Sequence, residues 1–208
     1  MLTDTSIPPQ FEAVRDKDER ILWVGKPAFI PFIMSGIPFL ILGLLWGAFD
    51  YFGFIRNVNL SLNDEGTWFI VPFFAIHLFP FYASIFNMVR LFLVHGNTFY
   101  AYTNKRLLMR SGFWGTDFKA IDYDKISDIE VNVNPIENLL GVGTVQAFSG
   151  RTTSKGANIY DKFIAIPEPY EVFKRIKEVS VDIKTDWNYP NDLRPERNPG
   201  YKTRYEPR

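Results

Sequence analysis

Two stretches of this chain, residues 27–49 and 67–89, contain no Asp, Glu, Lys or Arg. A bilayer hydrocarbon core of about 30 Å takes roughly 20 apolar helical residues at about 1.5 Å each, and the buried helix of a soluble protein rarely sustains an uncharged run of that length. Both runs are therefore expected to be transmembrane helices. Their apolar residues follow one another without alternation, as in Leu40-Ile41-Leu42-Gly43-Leu44-Leu45, which is a helical rather than a strand texture. Pro38 and Pro80 mark the expected kinks, because membrane helices tolerate proline where neighbours satisfy the freed carbonyls. Trp46, Phe49, Tyr51 and Phe52 close the first run and Trp68 and Phe69 open the second. These rings suit one membrane–water interface, flanking a connecting loop at 50–66.

The segment before the first run mixes Glu12, Asp16, Asp18 and Glu19 with Arg15, Lys17, Arg20 and Lys26, and no small-x-small site follows Leu45. An uncleaved anchor is expected rather than a signal peptide. The connecting loop has one basic residue, Arg56, against several on each outer flank, among them Arg90, Lys105, Arg106 and Arg110. By the positive-inside bias the loop is external and both termini are cytoplasmic, in a plasma (cytoplasmic) membrane protein. The 23 basic and 23 acidic residues balance, so no global field draws the chain to nucleic acid. With no cysteine, disulfides, thiolate catalysis and Cys-based metal sites are excluded.

From about residue 97 the texture changes to short alternating runs. Strands are expected at 98–102, 106–111, 118–123, 126–133, 144–148 and 163–166, separated by Gly-, Asn- and Asp-containing turns. Gly141-Val142-Gly143 reads as one of those turns; it lacks the third glycine and following helix of a dinucleotide fingerprint. After Pro167-Glu168-Pro169, Val172, Phe173, Ile176 and Val179 fall at helical spacing and predict a closing amphipathic helix. The layout expected is an N-terminal segment 1–26, a transmembrane hairpin 27–95, a β domain with its helix 96–183, and an extended or disordered tail 184–208, polar and rich in proline.

The stretch Tyr102-Thr103-Asn104-Lys105-Arg106-Leu107-Leu108-Met109-Arg110-Ser111-Gly112 resembles the T-N-x-R-L hairpin of bacterial pleckstrin-homology-like membrane proteins. Ile121-Asp122-Tyr123-Asp124-Lys125-Ile126, Leu139-Leu140-Gly141-Val142-Gly143-Thr144-Val145 and the earlier Glu19-Arg20-Ile21-Leu22-Trp23-Val24-Gly25-Lys26-Pro27 are similar to that family in the same order. The resemblance implies an α+β membrane protein: two transmembrane helices plus a PH-like antiparallel β-barrel or sandwich with a C-terminal helix over one open end. It implies little about activity, since such folds host many binding roles. Seven strands would be usual. Either residues 158–160 belong to a longer strand or, the favoured alternative, residues 21–24 add a strand that covers the edge of the one following the membrane.

Candidate site residues are few. Lys105, Arg106 and Arg110 lie on or beside the first hairpin; Arg106 and Arg110 share a face by the period-2 rule and are candidate contacts for anionic headgroups. Set against this, the β domain carries nearly balanced charge, and a solvated hairpin edge accounts for the same residues. His77 is an intramembrane titratable group, yet with no second ionisable partner expected in the runs, packing beside Pro80 explains it better than transport. His95 is expected at the interface. Asp122, Asp124 and Asp128 lack a metal-ligand pattern, and residues 150–156 read as a mobile hairpin tip in preference to an anion-binding concavity. No catalytic constellation, metal, cofactor or small-molecule substrate is expected. The reading is a non-enzymatic, membrane-anchored PH-like binding or scaffolding module, with membrane lipid and protein partners, either copies of itself or other subunits of a membrane complex.

Overall fold

A computed structural model describes residues 7–57 and 67–188, without the side chains of 185–188. The chain divides into two compact units, residues 1–31 with 97–208 and residues 32–96.

The first unit holds all seven strands found among the described residues. A four-stranded antiparallel sheet runs in the order β1 (Ile21–Gly25), β2 (Phe99–Thr103), β3 (Arg106–Ser111), β4 (Asp117–Asp122). A three-stranded sheet follows as β5 (Asp128–Asn132), β6 (Val142–Thr152), β7 (Asn158–Pro167). The expected seventh strand is present: β1 pairs with β2, Gly25 opposite Tyr100. Alternation sends Tyr100, Tyr102, Leu107 and Ile121 inward against Val145, Ala147, Phe163 and Ile166. Phe163 stacks on Tyr100 at 4.8 Å and on Trp23 at 6.1 Å between ring centroids. The closing helix α7 (Pro169–Asn188) seals this core with Val172, Ile176 and Val179, the residues read from its period.

Three sequence expectations need correction in this unit. The tail expected from residue 184 is helical as far as Asn188, since no proline interrupts the helix before Pro190; residues 189–208 lie outside the described residues. Val142 and Gly143 belong to β6 rather than to a turn, and only Gly141, at φ 66°, turns the chain. Before it comes a helix that the alternation did not reveal, α6 (Pro135–Leu139), started by a capping box in which Asn134 accepts from the backbone of Ile136 and Glu137, and Glu137 accepts from the backbone of Asn134.

Residues 7–26 are not a separate segment. The short helix α1 (Pro9–Val14) lays Phe11, fully buried, on the outer face of the first sheet against Val24, Ala101 and Leu108, with its ring edge-on to Phe118 at 5.7 Å. The unit thus has a second small core, on the face that alternation would assign to water.

In the second unit both apolar runs are broken near their prolines. The first run divides into α2 (Phe29–Met34) and α3 (Ile37–Gly53), with Pro38 in the first turn of α3. The second divides into α4 (Thr67–His77) and α5 (Phe79–Asn97), bent by 41° just before Pro80. The expected loop start at Asp50 lies inside α3, and a 3-10 turn continues to Asn57. The stretch Ile37–Asn57 is long and apolar enough to cross a membrane, and the bent pair passes the same test if taken as one span. In its most apolar part only 11% of Ile37–Asn57 is buried.

Candidate functional site

The hairpin residues singled out from the sequence separate into two places. Lys105 and Arg106 stand at the β2–β3 turn, whereas Arg110 is near the other end of β3, opposite Phe99. Four strand residues at about 3.3 Å each put Arg106 and Arg110 roughly 13 Å apart along one face.

At the turn the N-terminal arm occupies the cations. Glu19, with no exposed surface, accepts a forked pair of bonds from Arg106, Nε to Oε1 at 3.0 Å and Nη2 to Oε2 at 2.8 Å. Thr103 Oγ1 donates to the same carboxylate at 2.7 Å, and the backbone N–H of Asp16 donates at 3.0 Å. Asn104 accepts from the Arg20 N–H through its side chain at 2.7 Å, and its own N–H donates to the Arg20 carbonyl at 3.1 Å. Lys105 Nζ lies 3.4 Å from Asp18 and 3.6 Å from Asp16. Each part of the Thr-Asn-Lys-Arg motif therefore has a partner in residues 16–20. The motif works as a latch for the arm.

Burial pushes the Glu19 carboxyl up, but the bonds from Arg106, Asp16 and Thr103 outweigh it and hold the carboxyl below its ordinary value of 4.5. A depressed folded-state value means that the Glu19 contribution is complete above about pH 4.5 and is lost as pH falls through the lower value. Thermal melts between about pH 3 and 6 should therefore show the native chain losing stability on acidification more steeply than Glu19→Gln, which cannot titrate there. Parallel curves for the two would remove Glu19 from the acid response.

The other end of the first sheet has a different character. Phe99 opens β2, and both Lys26 Nζ, at 5.1 Å, and the Arg110 guanidinium, at 5.6 Å, lie over its ring. Arg110 Nε is buried without a hydrogen-bond partner among the described residues. The β3–β4 loop, Gly112 to Thr116, is tied here by Asn97, whose side-chain amide donates to the Gly112 carbonyl at 3.2 Å. Gly112 has φ 143°, and a Cβ there would meet the Gly115 carbonyl, so the tight loop requires glycine. At the tip Trp114 is 93% exposed.

In the second unit His77 does have an ionisable neighbour. Its Nε2 is 3.4 Å from Oδ1 of Asp50, which is fully buried in the last part of α3. Trp46 Nε1 donates to the His77 carbonyl at 3.0 Å, and Phe73 stacks on the imidazole at 5.2 Å. The expectation that no second partner exists fails because a carboxylate after an aromatic belt reads as the start of a loop, whereas α3 continues past it. The pair joins α3 to α4. His95 meets Phe32 edge-on at 5.5 Å.

The remaining titratable candidates are structural. Burial pushes the Tyr100 and Tyr102 hydroxyls up to about 12, so both stay neutral in the core. Asp122 pairs with Lys125, and Asp128 accepts from the Ile129 N–H. Arg151, at the base of the expected hairpin tip, is on β6 and pairs with Asp161, as does Lys119; the β6–β7 turn follows at residues 153–157. Among the described residues no three His, Cys, Asp or Glu side chains gather to hold a metal.

The family model described as bacterial PH domain matches residues 28–180. No curated protein matches. Among solved structures, a DUF1696 family protein with a pleckstrin-homology domain from Shewanella loihica PV-4 is similar at 14% identity, covering 40% of this chain and 71% of that one, with a TM-score of 0.30.

Proposed function

The chain belongs to the bacterial PH domain family, and on that premise we propose that it is a non-enzymatic, membrane-anchored binding and scaffolding module whose PH-like unit recruits or organises protein partners at the cytoplasmic membrane face. The observation that carries this reading is the poor burial of Ile37–Asn57, 11% in its most apolar part. The core helix of a soluble domain would be covered by protein; an apolar helix this bare needs lipid as its solvent. Ile76, Phe79 and Trp68 of the second run are equally bare, each at least two-thirds exposed.

The place of the hairpin in the chain supports a scaffold. It is the connection between β1 and β2, which are hydrogen-bonded neighbours, so the chain leaves and re-enters the PH-like unit at two adjacent strands. For protein partners the best surface is the short helix Pro135–Leu139, whose capping box fixes its backbone while Leu139 is 85% and Ile136 50% exposed. The lipid-sensing alternative drew on Lys105, Arg106 and Arg110 together. Two of these are engaged by acidic residues of the arm, which favours the partner reading.

One experiment on full-length protein in native membranes tests both parts. In intact cells an impermeant thiol reagent should label Arg56→Cys and spare Lys125→Cys until the membrane is opened, and affinity capture should enrich defined partners that the Ile136→Asp/Leu139→Asp variant loses. Labelling at 125 without permeabilisation would reverse the topology. A chain that stays monomeric and enriches nothing would defeat the scaffold.

A further inference from the structure

We infer that the β3–β4 loop is a third membrane contact, in which Trp114 enters the lipid interface while Lys26 and Arg110 face the headgroups. The inference rests on the membrane reading above and adds to it a lipid-binding surface on the PH-like unit itself.

Register places Gly25 opposite Tyr100, Phe99 opposite Arg110, and Arg110 opposite Phe118. The end of the sheet from which the chain leaves β1 for the first apolar run, and at which it returns into β2, is thus the end that carries the β3–β4 loop. The Asn97–Gly112 bond fixes the loop to the point of return. On one side the uncharged run begins at Pro27, immediately after Lys26. On the other, the run ends before Arg90, and the eight helical residues from Arg90 to Asn97, seven rises, span about 10 Å, comparable with one headgroup layer of roughly 5–8 Å. This end of the sheet is therefore the one that adjoins both apolar runs along the chain.

The chemistry at that end suits the same occupant. Tryptophan is the side chain most often buried in part, and one that is 93% exposed at a loop tip gains nothing from its ring unless something covers it. Its apolar body and single N–H donor match the interfacial layer, where aromatic belts form. Lys26 and Arg110 share the face of Phe99, and long basic chains beside an aromatic ring place charge among phosphates while their stems stay on apolar surface. The buried Arg110 Nε has no acceptor among the described residues. This end has one exposed carboxylate, Asp117 opposite Ser111, whereas the far end of the same strands holds Asp16, Asp18 and Glu19, which already engage Lys105 and Arg106.

The native chain has no cysteine, so a single thiol reports one site. A nitrobenzoxadiazole probe at Thr116→Cys, with Trp114 intact, would be read in full-length protein reconstituted into phosphatidylcholine vesicles with about 30% phosphatidylglycerol, against probes at Phe86→Cys and Asp124→Cys. A headgroup-level nitroxide lipid should quench position 116 several-fold more than position 124, and Trp114→Ala should return it to the level of 124. Quenching at 86 but not at 116 would overturn the inference and leave the membrane reading standing. Absence of quenching at 86 would overturn both. A probe at 116 shielded from aqueous iodide yet untouched by nitroxide lipid would mean a protein cover, which also defeats it.

Discussion

Arg106→Ala is expected to destabilise the PH-like unit by about 3 kcal/mol, because it strands a buried carboxylate rather than deleting a surface charge. Glu19 is fully buried and two of its four bonds come from the Arg106 fork; the same guanidinium also donates to the Val14 carbonyl at 3.1 Å, where α1 ends. Losing it leaves Thr103 and the Asp16 N–H to hold a negative charge away from water. The arm then has reason to lift, exposing Phe11 and the apolar face of Val24, Ala101 and Leu108. Arg106→Lys should recover only part of the loss, since an ammonium cannot reproduce the fork. Glu19→Gln combined with Arg106→Ala should cost less than the sum of the two, the signature of a coupled pair. Urea unfolding of full-length protein in detergent, followed by tryptophan fluorescence, measures all of these. If Arg106→Ala fell within about 0.5 kcal/mol of native, as solvated surface changes do, the latch would carry no energy and the residue would again be open to a headgroup role.

What could be read from residue order was the part of the fold governed by local period. The third strand coincides with its expected span because Leu107 and Met109 alternate cleanly between two turns, and the closing helix because Val172, Ile176 and Val179 keep one face. The family resemblance is upheld by a match over residues 28–180. Long-range packing was not legible. Nothing local marks Phe11 as buried: a helix of six residues is too short to show a period or to stand alone, and it exists because the outer face of the sheet receives it. Glu19 has the same history, since only a distant arginine makes its burial tolerable. The Pro135–Leu139 helix was different. Its capping box is written in Asn134-Pro135-Ile136-Glu137, a readable signal passed over because five residues cannot display amphipathicity.

The site residues show the same division. Period placed Arg106 and Arg110 on one face, correctly, but proximity in sequence concealed that they serve opposite ends of a strand with different surroundings. Asp50 concealed itself by its charge, which normally ends a membrane run. Here α3 carries the carboxylate inward to His77, so the boundary of an apolar helix follows the pairing available to a charge as well as its mere presence.

Gly43→Leu should be the most damaging substitution in the apolar hairpin, costing about 3 kcal/mol by overpacking. Three glycines of the first run meet the second at close range: Gly36 beside Met88 and Leu91, Gly43 beside Pro80 and Ser84, Gly47 beside Phe81. Of these Gly43 is the tightest, because a Cβ there would press on the side chain of Ser84 and lie 2.9 Å from the Pro80 carbonyl oxygen. Ser84 is fully buried and donates to the Phe81 carbonyl at 2.8 Å, so it has little room to turn away. In lipid no hydrophobic force draws two apolar helices together; close van der Waals contact must do it, and small residues allow that contact. Gly43→Ala should be milder and partly rescued by Ser84→Gly, but not fully, because the Pro80 carbonyl is backbone and cannot be removed. Heating in mild detergent, with the surviving fraction measured by gel filtration, orders the variants. If Gly43→Leu matched native, α3 and α5 would not depend on this approach, and the Asp50–His77 and Trp46–His77 contacts between α3 and α4 would carry more of the hairpin's stability.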